Sequence, residues 1–380
     1  MNLNWLTDYT VYLTVHGSQA YGLNHELSDL DIKGVCIPPR GVRDHLFQGF
    51  DQAENAPEIN GHQAVLPRIN PLNPKVESTV YSLRKFFKLA ADVNPNVIEL
   101  LYTSTSDHLK SSPVWEHIVQ NRGMFLSSKA KFTFSGYAVA QLNKIKRHRK
   151  WLLSPIKEKP LRADYGLPET QPVAIETITR EIRRLVEEWN FHQYRLDELE
   201  RSELKERCWE LVARLSTNKT VGWDNWPDEY WKVAIAKLQS ELNLSDSLTA
   251  VISREHDYRK DVQAYESYSR WERERNPERK ALEAKYQYDV KHGMHLVRLL
   301  RMGIEILETG SVIVKRPDAD ELIEVRRGLW SYERLLEYSA NLEAQLDLVY
   351  STTKLPRAVD QLALNGLYQY TLAVHDHNQA

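Results

Sequence analysis

The sequence predicts a small α/β domain at the N-terminus with a larger, mostly helical portion behind it. Two observations carry the first half. Residues 9–15 (YTVYLTV) and 31–37 (DIKGVCI) are β-branched and aromatic runs, and the first alternates with period two, as strands do. Glycine-serine or proline-proline pairs close them, at Gly17-Ser18 and Pro38-Pro39. A third observation carries the second half: from Pro113 onward apolar residues recur at helical spacing with charges between them.

Each element follows in order. Residues 40–75 are rich in Pro, Gly and Asn and hold no period, so they read as an irregular excursion with one hairpin through residues 63–65. Residues 76–81 (VESTVY) read as a third strand, and residues 83–92 as a helix after it. Asn94-Pro95-Asn96 breaks the chain, and another apolar element begins at Val97. Residues 173–194, 203–215 and 228–242 have helical spacing. Residues 259–275 are very polar, with Tyr265, Tyr268 and Trp271 along one side. Pro277 restarts a helix running to residue 307, and residues 331–352 and 358–374 supply the last ones.

Composition sets limits on function. The 380 residues suggest two to three domains at about 150 residues each. With 42% hydrophobic and 27% charged residues, the chain has enough apolar surface to bury a core, which excludes disorder as its main state. Fifty Lys and Arg against 52 Asp and Glu exclude a coat for nucleic acid built on bulk positive charge. Two cysteines, Cys36 and Cys208, exclude a disulfide framework and a four-thiolate metal site, and a reducing cytoplasm fits them best. No secretory leader and no apolar run long enough for a membrane span is visible.

The segment that carries chemistry is Gly17-Ser18-Gln19-Ala20-Tyr21-Gly22 followed by Ser28-Asp29-Leu30-Asp31-Ile32. Side chains two apart on a strand share a face, so Asp29 and Asp31 aim two carboxylates at one point. Hard dications such as Mg²⁺ or Mn²⁺ take carboxylate, phosphate and water oxygens. A glycine turn brings main-chain N–H groups close to an anion, and Ser18 adds a hydroxyl donor. Carboxylate-held metal beside a phosphate cradle is what in-line phosphoryl or nucleotidyl transfer requires. A third carboxylate is expected on a neighbouring strand. Glu77 is the best candidate, ahead of Asp51 and Glu54 in the irregular excursion.

Gly17-Ser18 followed by Ser28-Asp29-Leu30-Asp31 resembles the core motif of the DNA polymerase β-like nucleotidyltransferase superfamily. The longer string GSQAYGLNHELSDLDIKGVCIPP resembles its YcgL/RlaP-type predicted nucleotidyltransferases. So do Asn94-Pro95-Asn96 with Glu99-Leu100-Leu101, and the C-terminal block with Trp271, Arg275-Asn276-Pro277, Arg279 and residues 288–301 (YDVKHGMHLVRLLR). The resemblance covers roughly residues 10–110 and 265–330. It implies a mixed β-sheet with flanking helices and transfer of a nucleotide from an NTP, and it leaves the acceptor open. Many superfamily members carry aspartate as the third carboxylate, where this chain offers Glu77. The expected organisation is a nucleotidyltransferase core over 1–110 and a helical region over 111–380, of which 265–330 packs on the active site.

The C-terminal block also reads from its residues. Lys291, His295 and Arg298 stand at i, i+4 and i+7 on one helix face, suited to a triphosphate tail or to nucleic-acid phosphate, or to a plain solvated face. His292 reads as structural. Residues 144–150 hold Lys144, Lys146, Arg147, Arg149 and Lys150, which form either a solvated surface or a track for RNA, with Tyr137 and Trp151 near enough to stack on bases. The tryptophans Trp189, Trp209, Trp223, Trp226, Trp231 and Trp271 read as helical core. No zinc-type spacing appears, because His292 and His295 lack a third ligand nearby in sequence. No P-loop and no nucleophile elbow is present.

The expected activity is metal-dependent transfer of an NMP from an NTP to a hydroxyl acceptor on an RNA end, a protein or a small molecule. Asp29, Asp31 and Glu77 hold the metal, Gly17 and Ser18 cradle the triphosphate, and Lys291, His295 and Arg298 assist. Two other readings stand beside it: a non-catalytic nucleotide or RNA binder on the same fold, and a toxin-antitoxin component that modifies a protein.

Overall fold

The computed structural model describes residues 3–47, 49–167, 169, 245–275 and 277–379. The helices expected at 173–194, 203–215 and 228–242, five of the six tryptophans above (all but Trp271) and Cys208 lie outside the described residues. Two compact units emerge, one formed by Met1–Leu153 with Pro277–Ala380, the other by Ser154–Asn276.

The first unit is built on a five-stranded mixed sheet: β1 (Thr10–Val15), β2 (Leu30–Cys36), β3 (Gln52–Glu54), β4 (Val76–Ser82) and β5 (His108–Ser111), in the order β3-β4-β2-β1-β5. β2 and β4 run parallel, and the other pairs run antiparallel. The α+β class and its mixed sheet are thus as expected. Alternation sorts the side chains. Leu13, Val15, Leu30, Ile32 and Val80 enter one small apolar cluster, while Tyr12, Val35 and Tyr81 join the larger core under the helices. Asp31 shares its face with Val35, and Glu77 with Tyr81, so both carboxylates stand on the helix-covered side.

Those helices come from both ends of the unit. α1 (Leu83–Ala91) starts at Ser82, whose hydroxyl accepts from Lys85 N–H. α2 (Ala130–Leu153) packs against α3 (Val290–Thr309), which in turn meets α4 (Tyr332–Thr352); α5 (Gln361–Gln379) closes against α1. The second unit contains a long helix, Asp246–Glu274, against which Arg162 docks by a two-pronged pair to Glu255.

Several local expectations change. The hairpin through residues 63–65 does not form: the chain turns there and enters the 3₁₀ helix Leu66–Arg68, which Pro67 suits because it has no N–H for a ladder. The excursion instead contributes the three-residue edge strand β3, and β5 forms from the polar stretch HLKS; neither has a pattern that marks a strand. The helix expected over 277–307 is broken. Pro277–Tyr286 ends, Gln287 adopts φ +59°, and Asp289 caps α3 by accepting from His292 N–H.

Candidate active site

Three carboxylates meet at the edge where β2 begins. Asp31 and Glu77 are direct partners in the parallel β2–β4 register, and Asp29 precedes Asp31 by one pleat. One carboxylate oxygen from each of Asp29, Asp31 and Glu77 lies within 4.8 Å of the other two. Glu77 and Asp29 are the more open of the three, with side chains 49% and 32% exposed. Solvent therefore reaches both.

Gly17 explains how the preceding turn fits against them. Its φ is +62°, and a Cβ there would stand 1.8 Å from Asp31 Oδ2, so only glycine can occupy the position. The turn continues as the short helix Gly17–Tyr21, with Ser18 exposed at intermediate level on its first turn. His16 N–H donates to the carbonyl of Asp31 at 2.8 Å and ties the turn to β2.

The electrostatics are those of crowded acids. Burial, then Asp29, then Glu77 push the Asp31 carboxyl up to about 6, against the pull of Lys33 and Lys291. The exposed ammonium of Lys75 pairs with Glu77 and lies 3.8 Å from Asp29 Oδ2. Lys33, drawn down to about 8 by burial, donates to the Asn96 carbonyl at 2.8 Å. An all-oxygen donor set with surplus negative charge fits a hard dication such as Mg²⁺ or Mn²⁺.

α3 brings its residues to different places. Lys291 is half-buried, and its charge reaches Asp31. His295 is half-buried too, and burial followed by Arg298 and Lys291 holds its imidazole well below the usual histidine range, so it is neutral at pH 7. Arg298, grouped with these by its spacing, is 5% exposed. Its guanidinium donates to Glu99 Oε1 at 2.9 Å and lies 3.9 Å over the Tyr21 ring, so in the structure its partners are protein groups.

Glu99 is the residue that the sequence reading left without a role. It is 1% exposed, accepts from Tyr21 Oη at 2.5 Å, and has His16 Nε2 at 3.1 Å. Burial opposes its charge, yet Arg298, His16 and Tyr21 outweigh burial and hold it down at about 2. Burial, followed by Lys33, lowers His16 to about 4, so the imidazole is neutral. Glu99 thereby joins the end of β1, the Gly17–Tyr21 helix and α3. The signal available in sequence was an acid inside an otherwise apolar stretch, Val97 to Leu101.

The basic run lies on the C-terminal half of α2. Lys144, Lys146, Arg147 and Lys150 are exposed, whereas Arg149 donates to the Gln287 carbonyl at 2.9 Å. Trp151 is 7% exposed and stacks on His148, and the Tyr137 hydroxyl accepts from Asn94, so neither ring is laid open as a stacking platform. Cys36 is a free, buried thiol. Among the described residues no helix is long and apolar enough to cross a membrane.

The chain is 23% identical over 349 residues to the "Uncharacterized 38.9 kDa protein in nrdC-mobD intergenic region" of Enterobacteria phage T4, covering 89% of this chain and 88% of the phage protein. No solved structure matches. Residues 7–156, which contain the three carboxylates and the Gly17–Ser18 turn, match the family model of RlaP, the RNA repair pathway DNA polymerase beta family, the type that their motifs resemble.

Proposed function

We propose that this protein transfers a nucleoside monophosphate from an NTP to a hydroxyl at an RNA end, releasing pyrophosphate. The observation that carries the proposal is the convergence of Asp29, Asp31 and Glu77 within 4.8 Å of one another beside the Gly17 turn. The family description, which names an RNA repair pathway, favours RNA as acceptor over protein or a small molecule.

In this reading Asp29 and Asp31 hold Mg²⁺ or Mn²⁺, and Glu77 completes the site or takes the acceptor's proton. The bound dication supplies charge neutralisation at the phosphates and makes the acceptor hydroxyl easier to deprotonate. The acceptor oxygen forms a bond to the α-phosphorus, the bond to the β-phosphate oxygen breaks, and the electron pair leaves with pyrophosphate. The main-chain N–H groups at Gly17 and Ser18 cradle the triphosphate. Lys291 contributes a positive charge close to Asp31, and His295, neutral, contributes a hydrogen bond. Arg298 acts by holding the Gly17–Tyr21 helix through Glu99 and Tyr21. The exposed cations of residues 144–150 hold the RNA backbone.

The test is incubation with each of the four α-³²P NTPs and Mg²⁺ or Mn²⁺, offering RNA and cell lysate as acceptors, with the D29A/D31A double variant alongside. Label that enters RNA and is lost in the variant supports the reading. Label in a protein band would move the acceptor to protein. NTP binding without transfer to any acceptor would leave a binding module.

A further inference from the structure

A second cluster of ligating side chains shares no residue with the acid triad. His148 on α2, Asp289 at the cap of α3 and His292 on its first turn present ligand atoms that all lie within 4.8 Å of one another. His148 Nδ1 stands 3.2 Å from Asp289 Oδ2, and His292 Nε2 stands 3.5 Å from the same oxygen. Four ligands at about 2.0–2.1 Å around a tetrahedral zinc ion stand roughly 3.3 Å from one another. The two separations to Asp289 Oδ2 are close to that spacing.

The surrounding contacts set up the same chemistry. Asp289 Oδ1 accepts from His292 N–H at 3.1 Å as the helix cap, which turns Oδ2 toward the two imidazoles. His292 Nδ1 stands 2.7 Å from Gln141 Oε1, and since an amide oxygen only accepts, Nδ1 carries the proton in that bond. In the neutral ring, Nε2 then bears a lone pair and faces a carboxylate oxygen, a pairing that needs a cation or a proton between the two. An outer hydrogen bond that fixes the tautomer and aims the other nitrogen inward is the usual support of a metal-bound histidine. Asp289 is 2% exposed, so its charge is shielded from water.

We propose that His148, Asp289 and His292 bind a transition-metal dication of the zinc class, distinct in chemistry from the hard, oxygen-loving cation suited to Asp29, Asp31 and Glu77. Imidazole nitrogens select for zinc-like ions over magnesium. The ion would clamp α2 to the start of α3, the helix that carries Lys291 and His295. This site does not depend on the nucleotidyl-transfer reading, since its ligands are separate from the acid triad. Neither ligand spacing nor any local motif could have exposed it, because the ligand that joins Asp289 and His292 arrives from residue 148 through the fold.

Cobalt substitution tests it on the full-length protein. After dialysis against EDTA, one equivalent of Co²⁺ should give the intense visible bands of a four-coordinate ion, and Zn²⁺ should displace them. The bands should vanish in His148→Gln and His292→Gln and persist in Asp31→Asn. Because an unfolded variant would also lose them, proton NMR of the cobalt-loaded native protein provides a second reading: two hyperfine-shifted, exchangeable imidazole N–H signals are expected. Only weak octahedral bands, abolished by Asp31→Asn, would overturn the proposal and leave an ordinary ion-paired His–Asp–His cluster. Intense bands without shifted imidazole signals would overturn it as well.

Discussion

Asp31 and Glu77 are register partners across the parallel β2–β4 pair, and the pairing places two acids side by side with Asp29 one pleat away. An acid whose pKa rises on folding, here to about 6 against 3.8, weakens the folded state above that pH; the penalty fades as pH falls toward 3.8. Asp31→Asn should therefore stabilise the metal-free protein at pH 7, by at most about 3 kcal/mol after solvent screening of its neighbours. The same variant should lose nucleotidyl transfer. Thermal melts in EDTA check the first half and α-³²P transfer to RNA checks the second; Mg²⁺ should also raise the Tm of the native protein more than that of the variant.

Glu99 and Arg298 predict the opposite sign. Removing one member of a buried pair leaves an uncompensated charge, so Glu99→Gln should cost about 3–5 kcal/mol in urea unfolding. Adding Arg298→Met to that variant should recover part of the loss. Glu99 is depressed to about 2 from 4.5, so its contribution is complete above pH 4.5 and disappears as pH falls from 4.5 toward 2. Acid unfolding of the native protein should steepen in that window, and Glu99→Gln should flatten it.

Gly17→Ala tests the close approach of the turn to Asp31. The left-handed backbone alone costs an alanine about 1–2 kcal/mol. The added methyl must also displace the Asp31 carboxylate, because its site lies 1.8 Å from Oδ2. Transfer activity should fall to background while circular dichroism stays native, and calorimetric Mg²⁺ affinity should weaken.

The basic face of α2 is tested by charge reversal at Lys144, Lys146 and Lys150, all exposed. The fold should persist. RNA affinity should drop, and the slope of log affinity against log salt should shrink by at least about 2, at roughly 0.7 per phosphate contact on single strands. An unchanged slope would remove these residues from the RNA path.

What was legible in the sequence depended on the range of the signal. The period-two run around Val11 and the apolar run around Val35 marked β1 and β2, and the i, i+2 spacing of Asp29 and Asp31 put both on one face. Glu77 was reachable because it lies within a strand-like run, although its register opposite Asp31 is a property of strand pairing alone. β3 and β5 were not legible, since three- and four-residue edge strands carry too few side chains for a period. Helical spacing grouped Arg298 with Lys291 and His295 but could not see Glu99, whose carboxylate approaches from another part of the chain. The break at Gln287 was hidden for a different reason: nothing in its side chain announces a positive φ.

The first unit is discontinuous, made of Met1–Leu153 and Pro277–Ala380. A ribosome releases the strands long before it reaches α3. Until Arg298 has been synthesised, Glu99 has no guanidinium to neutralise it, and the apolar residues that later meet α3 stay uncovered. Folding of the nascent sheet must then wait through translation of the whole intervening unit, an interval in which its exposed edges invite chaperones. Pausing or slowing elongation within residues 154–276 should lengthen that vulnerable interval and lower the yield of protein, without altering a single contact of the finished fold.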